Sequence, residues 1–265
     1  MYVFIHQSIK LYVVNRLNFT DILQARKRDY VPYEGDAGPD RRPLSLVEFI
    51  AAAKQDGRPP VIAEVKPASP TAGRLRRVAD VSSLALSFKN NGACGISVLT
   101  EPRFFGGSTA SLKEASCGLP VLRKDFLFHP AQIKESFALG ADSLLLIASF
   151  FSPDCLSDMI SEARSYGMEP LVEVHGEDDI QRAGSAGATL YAVNNRDKDT
   201  LEVDLRRTAR LAPLIDGTVV SASGIGTREQ LMEALEYCDA ALVGSALMRS
   251  KDPGKALSLL VYGVP

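Results

Sequence analysis

Eight short apolar runs, separated by amphipathic helical patterns, constrain this chain more than any other feature. From Pro60 onward they fall at Pro60–Lys66, Gly95–Thr100, Pro120–Phe126, Ser143–Ala148, Pro170–Val174, Leu190–Asn195, Thr218–Gly224 and Ala240–Leu247. Helical spacing fills the gaps, for example at Asp80–Asn91, Pro130–Leu139, Pro153–Tyr166 and Thr227–Glu236. Strands alternating with helices build βαβ units and a parallel sheet. Eight strands roughly 20–35 residues apart predict an α/β chain closed into a (β/α)₈ TIM barrel rather than an open sheet. Gly92-Ala93, Gly140-Ala141 and Gly187-Ala188 each precede a run, the pattern of a helix C-cap with a short turn into the next strand.

Ahead of the repeat, Tyr33 to Pro43 is polar and rich in Gly and Pro, so it reads as a linker. Ser45 then caps a helix over Leu46–Gln55, with Leu46, Phe49 and Ile50 on one stripe. The expected organisation is an N-terminal extension and linker at residues 1–42 and a single barrel domain at 43–265. An extra N-terminal helix covers the bottom of the barrel or borders its mouth.

Composition removes several function classes. The net charge is −2, from 30 basic and 32 acidic residues, so nothing global favours nucleic acid or an anionic membrane. The cluster Arg74, Arg76 and Arg77 lacks an aromatic stacking platform and reads as a solvated loop. Cys94, Cys117, Cys155 and Cys238 are scattered, and the histidines are His6, His129 and His175. That pattern argues against structural zinc and for a reducing compartment. Apolar runs fall short of the ~18 residues of a membrane span. Met1 to Val14 contains Lys10 and lacks a cleavage site, so it does not read as a signal peptide. A cytoplasmic protein is expected, a monomer or weak homo-oligomer. With no dinucleotide fingerprint, Walker loop or metal triad, no cofactor is expected.

The candidate chemistry lies at the strand ends, where parallel α/β barrels bind ligands. The first run ends Glu64-Val65-Lys66, and alternation puts Glu64 and Lys66 on one face. Such residues are almost never buried unless paired. The third run ends with Lys124 and Phe126 on one face, the fifth carries Glu173, and the sixth ends Asn194-Asn195-Arg196-Asp197. Two lysines and two glutamates converging from different strands suit general acid–base chemistry, since burial and like charges separate their proton affinities. The seventh and eighth runs end in Ser223-Gly224 and Gly244-Ser245. Paired there, glycine backbones and hydroxyls make a candidate phosphate site. Phe105, Phe126 and Leu145 could wall in a planar ring.

Taken in order, these motifs resemble the indole-3-glycerol phosphate synthase family. The resemblance runs from Pro60 to Met248 and rests on several stretches. They are Ile62-Ala63-Glu64-Val65-Lys66 with Ala68-Ser69-Pro70, Leu99-Thr100-Glu101 with Phe104-Phe105-Gly106-Gly107-Ser108, Arg123-Lys124-Asp125-Phe126, Leu171-Val172-Glu173-Val174, Asn194-Asn195-Arg196-Asp197, Ser223-Gly224-Ile225 and Val243-Gly244-Ser245-Ala246-Leu247-Met248. It implies ring closure, decarboxylation and dehydration of 1-(2-carboxyphenylamino)-1-deoxyribulose 5-phosphate to indole-3-glycerol phosphate, in tryptophan biosynthesis. It further implies Lys124 as the general acid for closure and Glu173 as the group that stabilises the cationic intermediate and assists dehydration. Lys66 would bind the carboxylate or donate a proton to the leaving hydroxyl, with Glu64 as its partner or the base. Asn194 would orient the substrate hydroxyls or Glu173. Ser69, Ser223, Gly224, Gly244 and Ser245 fall on phosphate-binding positions, Arg196 on a carboxylate-binding one, and Phe105, Phe126 and Leu145 on the ring walls.

Two departures stand out. Ala222 occupies a position where the family usually carries Glu, and Lys198 one where Leu is common, which predicts a more polar rim. A different phosphate barrel, such as phosphoribosylanthranilate isomerase, would carry a catalytic Cys where this chain has Glu64 and Lys66. A degenerate barrel that only binds a phosphorylated metabolite is the non-catalytic alternative.

Overall fold

The computed structural model describes residues 18–36, 38 and 41–264, and the stretch Met1 to Val14 lies outside the described residues. Two helices precede the repeat: α1 (Phe19–Asp29) and α2 (Leu46–Gln55). Then follow β1 (Val61–Val65), α3 (Val81–Asn90), β2 (Ala93–Leu99), the short α4 (Ser111–Glu114), β3 (Val121–Lys124) and α5 (Pro130–Ala138). The second half runs β4 (Ser143–Ile147), α6 (Pro153–Ser165), β5 (Leu171–Val174), α7 (Glu177–Ser185), β6 (Leu190–Asn194), α8 (Arg206–Leu211), β7 (Thr218–Ala222), α9 (Arg228–Leu235), β8 (Ala240–Val243), α10 (Ser245–Arg249) and α11 (Pro253–Tyr262). A two-stranded hairpin, Ala68–Ser69 with Gly73–Arg74, rises from the loop after β1.

The eight strands pair in parallel and close, β8 and β2 both flanking β1. The expected eightfold barrel is therefore present. Its logic is visible in the side chains. Ile62, Leu122, Leu145, Leu171, Leu190, Val220 and Leu242 fill the interior. Their odd-register neighbours, such as Val61, Ala63, Ile96, Val98 and Val121, point outward under the helices. Period two thus divides each strand between two cores. The helices start where the sequence offers acceptors. Ser45, Asp80, Ser152, Thr227 and Asp252 each take an N–H of the first turn. Gly92, Gly140 and Gly187, which follow α3, α5 and α7, have φ of 96°, 91° and 84°. A residue with a Cβ pays for that left-handed backbone, which explains glycine there.

Both positions weighed for an extra helix are occupied, by different helices. α2 closes the bottom. Leu46, Ile50 and Ala53 are buried with Ile62, Cys94 and Ala240 at the N-terminal ends of the strands, and Lys54 pairs with Asp239 at 2.6 Å. α1 borders the mouth, capped by a reciprocal Asn18–Asp21 pair. Its Arg26 grips Asp125 with two hydrogen bonds, 3.0 and 3.1 Å, and Phe19 meets Phe126 edge-on at 5.6 Å. The linker between them is anchored too, since Arg41 pairs with Asp142 at 2.8 Å and lies over the Phe137 ring. Arg76, from the basic cluster, hydrogen-bonds the carbonyls of Met248, Ser250 and Lys251, tying the loop after β1 to the end of α10.

Candidate active site

The mouth of the barrel holds a pocket enclosing about 1240 Å³, counting space continuous with solvent. At its floor three charged side chains meet. Glu64 is 1% exposed. Its carboxylate lies 2.6 Å from Lys66 Nζ and 3.7 Å from Lys124 Nζ. Glu64 and Lys66 share the inner face of β1 because they are two residues apart. Lys124 reaches them from β3. The strand between, β2, sets the small Ser97 opposite Glu64 and Leu99 opposite Lys124. Across the other flank, a Cβ on Gly244 would overlap the Glu64 carboxylate, so the close approach of β8 requires glycine.

The electrostatics follow from that crowding. Burial alone would raise the Glu64 pKa, but Lys66 and Lys124 outweigh it and hold the carboxyl below its ordinary range. Burial pushes the Lys66 ammonium below the ordinary lysine value. Glu64 opposes that shift, while Lys124 and Arg196 add to it. A buried carboxylate kept ionised between two ammonium groups is an arrangement that can move protons, which makes this floor the candidate catalytic centre. One lysine there is made more acidic than a free side chain.

Beside this triad stand Glu173 on β5 and Asn194 on β6, both buried and both facing the pocket. The Asn194 carboxamide oxygen accepts from the Arg196 N–H at 3.0 Å. Arg196 itself donates to the Leu201 carbonyl at 2.6 Å. Burial and the nearby Arg249 make its positive charge costly, a cost that an anionic group in the pocket would offset. The loop that carries these residues is cross-braced. Arg207 donates to the Asn194 carbonyl and to Asp197, both at 3.1 Å. The Asp197 carboxyl is drawn down to about 2 by the Thr200 and Asp199 N–H groups and by Arg207.

Phe105, Phe126 and Leu145 line one wall, with the Phe105 and Phe126 rings 6.0 Å apart. Phe105 is held there by Glu101, a fully buried carboxylate that accepts from the N–H groups of Arg103, Phe104 and Phe105. At the opposite end lie Ser69, Ser223, Gly224, Gly244 and Ser245. Ser223 and Gly224 have φ of +70° and +91° in succession. Strain at a non-glycine residue such as Ser223 clusters at functional sites. The site residues named from the sequence thus lie around one cavity.

Some pocket residues were not foreseen. Phe19 comes from α1, in the extension whose helices could not be placed by motif. Leu201 and Arg249 complete the rim. Leu201 is a non-glycine residue with φ +63°, a conformation no sequence pattern announces. The polar rim expected at Lys198 is not there. Lys198 turns to Asp199 at 3.1 Å and lies outside the pocket lining, while its carbonyl accepts from Phe19 N. The apolar Leu201 takes the rim instead. His175, two residues beyond Glu173 and just past the end of β5, is not among the candidates named from the sequence. Period two alone would have pointed to it.

Comparison with known proteins agrees with this geometry. The family model for indole-3-glycerol phosphate synthase matches residues 21–260. A protein of Carboxydothermus hydrogenoformans named indole-3-glycerol phosphate synthase is 42% identical over 227 residues, 83% of this chain and 86% of that protein. Indole-3-glycerol phosphate synthase 1 of Streptomyces coelicolor is 44% identical over 217 residues, 80% of each chain. Among solved structures, the tryptophan synthase α subunit of Legionella pneumophila superposes with a TM-score of 0.59 at 14% identity. That match covers 81% of this chain and 96% of the other. A 3-hexulose-6-phosphate synthase gives 0.61 at 15% identity, over 76% of this chain and 97% of the other. At such identities these two speak for the barrel alone.

Proposed function

The chain belongs to the indole-3-glycerol phosphate synthase family, and we propose that the charged floor and the two flanks of its pocket divide that family's reaction among them. The reaction closes a ring on 1-(2-carboxyphenylamino)-1-deoxyribulose 5-phosphate, releases CO₂ and then water, and yields indole-3-glycerol phosphate in tryptophan biosynthesis. It is a carboxy-lyase reaction.

The single observation that carries the reading is Glu64 bridging Lys66 and Lys124. Lys124 protonates the ketone oxygen as the anthranilate ring carbon attacks, so a neutral hydroxyl forms in place of an alkoxide. Glu173, buried opposite, stabilises the cationic intermediate and assists dehydration. Lys66 holds the substrate carboxylate until CO₂ departs, and its lowered proton affinity suits it to protonate the leaving hydroxyl, with Glu64 as the partner that accepts and returns charge. Asn194 orients the substrate hydroxyls. Ser69, Ser223, Gly224, Gly244 and Ser245 take the phosphate, Arg196 takes the anthranilate carboxylate, and Phe105, Phe126 and Leu145 clamp the ring. Productive attack needs the ring and the ketone held at near-contact distance, which anchoring both ends of the substrate achieves. The same proposal includes a cytoplasmic monomer or weak homo-oligomer. Among the described residues no helix is long and apolar enough to cross a membrane.

Indole fluorescence tests it. The chain has no Trp, so product emission rises on a low background. Wild type should generate signal from the substrate, and Lys124→Ala should lose it by on the order of 100-fold or more in kcat. A silent wild type that still binds substrate would overturn the reading in favour of a binding-only barrel.

A further inference from the structure

Three buried polar atoms beside the pocket have no hydrogen-bond partner among the described residues: Glu173 Oε1, His175 Nδ1 and His175 Nε2. Leaving such atoms unpaired in a packed interior is costly, so each wants an account. They face one another. His175 Nε2 lies 3.4 Å from Glu173 Oε1, and Nδ1 lies 3.7 Å from Asp179 Oδ2. The imidazole, its side chain 5% exposed, is thus strung between two carboxylates, one of which faces the substrate pocket.

Its placement is over-determined. Glu173 lies on β5, and His175 follows in the bend just past its end. Asp179 comes from the first turn of α7, and its carboxylate also accepts from the His175 backbone N–H at 3.1 Å. Arg182 braces Asp179 at 3.3 Å and donates to the Ala148 carbonyl. α1 contributes the Phe19 ring, edge-on to the imidazole at 5.9 Å, which seals this side of the pocket. The charged groups facing the imidazole are therefore Glu173 and Asp179, with Arg182 behind the latter.

We propose that His175 is the positioning residue for Glu173 and the holder of its proton. Asp179 takes Nδ1–H and so directs the basic Nε2 at Glu173. When Glu173 accepts a proton from the substrate, its O–H bond breaks as an N–H bond forms at Nε2. An imidazolium then lies between two carboxylates, and Glu173 is a carboxylate again. The reverse transfer returns the proton to Glu173, which assists dehydration while Lys66 protonates the leaving hydroxyl. No other bond changes and no co-reactant is needed. Distances of 3.4 and 3.7 Å are those of an unliganded site, where catalytic hydrogen bonds run long and tighten with substrate. The inference rests on the role proposed above for Glu173 and deepens it.

The test has an arm independent of activity. The chain contains three histidines, so long-range ¹H–¹⁵N spectra of the wild type resolve the His175 ring. A neutral ring protonated on Nδ1, with ring ¹⁵N shifts that change in both Glu173→Gln and Asp179→Asn, is the expected result. In the kinetic arm, His175→Gln should lower kcat on the order of 100-fold with KM little changed, and should move the pH profile of kcat. His175 ring ¹⁵N shifts indifferent to both carboxylate variants overturn the proposal, as does a folded His175→Gln enzyme with wild-type kcat and pH profile. If His175→Gln fails to fold, the spectra of the other two variants decide. A wild type without synthase activity would refute the reaction assignment, and the spectra would still judge the His175 couple.

Discussion

Replacing Glu64 by Gln removes the one negative charge that the structure places between two ammonium groups. At an effective dielectric near 20, Coulomb's law gives about 6 kcal/mol of gross attraction for the 2.6 Å contact to Lys66 and about 4.5 kcal/mol for the 3.7 Å contact to Lys124. Much of this offsets the desolvation of a carboxylate that is 1% exposed. The loss on breaking such a pair is about 3–5 kcal/mol, because an uncompensated buried charge remains. At roughly 2–4 °C per kcal/mol for a chain of this size, Tm should fall by about 6–20 °C. The pH dependence has a definite sign. Glu64 titrates below its unfolded value, so its contribution is complete above the ordinary carboxylate range and is lost as pH falls through the lowered folded value. Lys66 also titrates below its unfolded value, so its charge opposes folding at neutral pH, and that cost disappears as pH rises toward the ordinary lysine value. The deficit of Glu64→Gln should therefore be widest near neutrality and narrow at both extremes. Differential scanning calorimetry across pH measures it. The alkaline limb of kcat should move to lower pH, since Lys66 loses the partner that favours its charged form. A variant melting within about 2 °C of wild type near neutrality would refute the reasoning, and so would a deficit that stays undiminished on acidification.

Two further outcomes follow from neighbouring residues. Ala222, buried opposite Asn194 and Leu242 in the strand register, stands where the family resemblance implies Glu. Ala222→Glu should raise kcat or shift its pH profile, while burial of a new carboxylate lowers Tm; steady-state rates unchanged at every pH would refute this. Ser223, at φ +70°, holds a conformation that costs a residue with a Cβ about 1–2 kcal/mol. In Ser223→Gly that relief is partly offset by the flexibility of the unfolded chain, so Tm should hold or rise by about 2–4 °C. KM should rise roughly tenfold as a hydroxyl donor to the phosphate is lost. A fall in Tm would show that the hydroxyl, not the backbone, governs stability there.

Much of this molecule was legible without coordinates because barrels are written locally. Period two assigns Ile62, Glu64 and Lys66 to one face, and a carboxylate or ammonium on a face otherwise filled by Ile and Leu marks a strand end before any contact is known. Glycine after α3, α5 and α7 announces a left-handed turn because the steric rule acts within one residue. By itself the sequence therefore determined the order of the eight strands, the alternation of helices with them, and many of the side chains that line the mouth.

Only the tertiary structure decided which of those side chains touch. Glu64 and Lys124 belong to strands that are not neighbours. They meet because closure and the small Ser97 between them allow it, and periodicity carries no distances between strands. Lys198, expected at the rim, pairs with Asp199 instead, and Leu201, at a positive φ, lines the pocket there. α1 carries an ordinary amphipathic pattern, and nothing in it distinguishes the mouth from the floor until Arg26 finds Asp125. His175 reads as one more residue after a strand until Glu173 and Asp179 close on it from two elements. Local rules set what each residue can be, and the closed sheet, by bringing distant residues within a few ångströms, sets what they can do together.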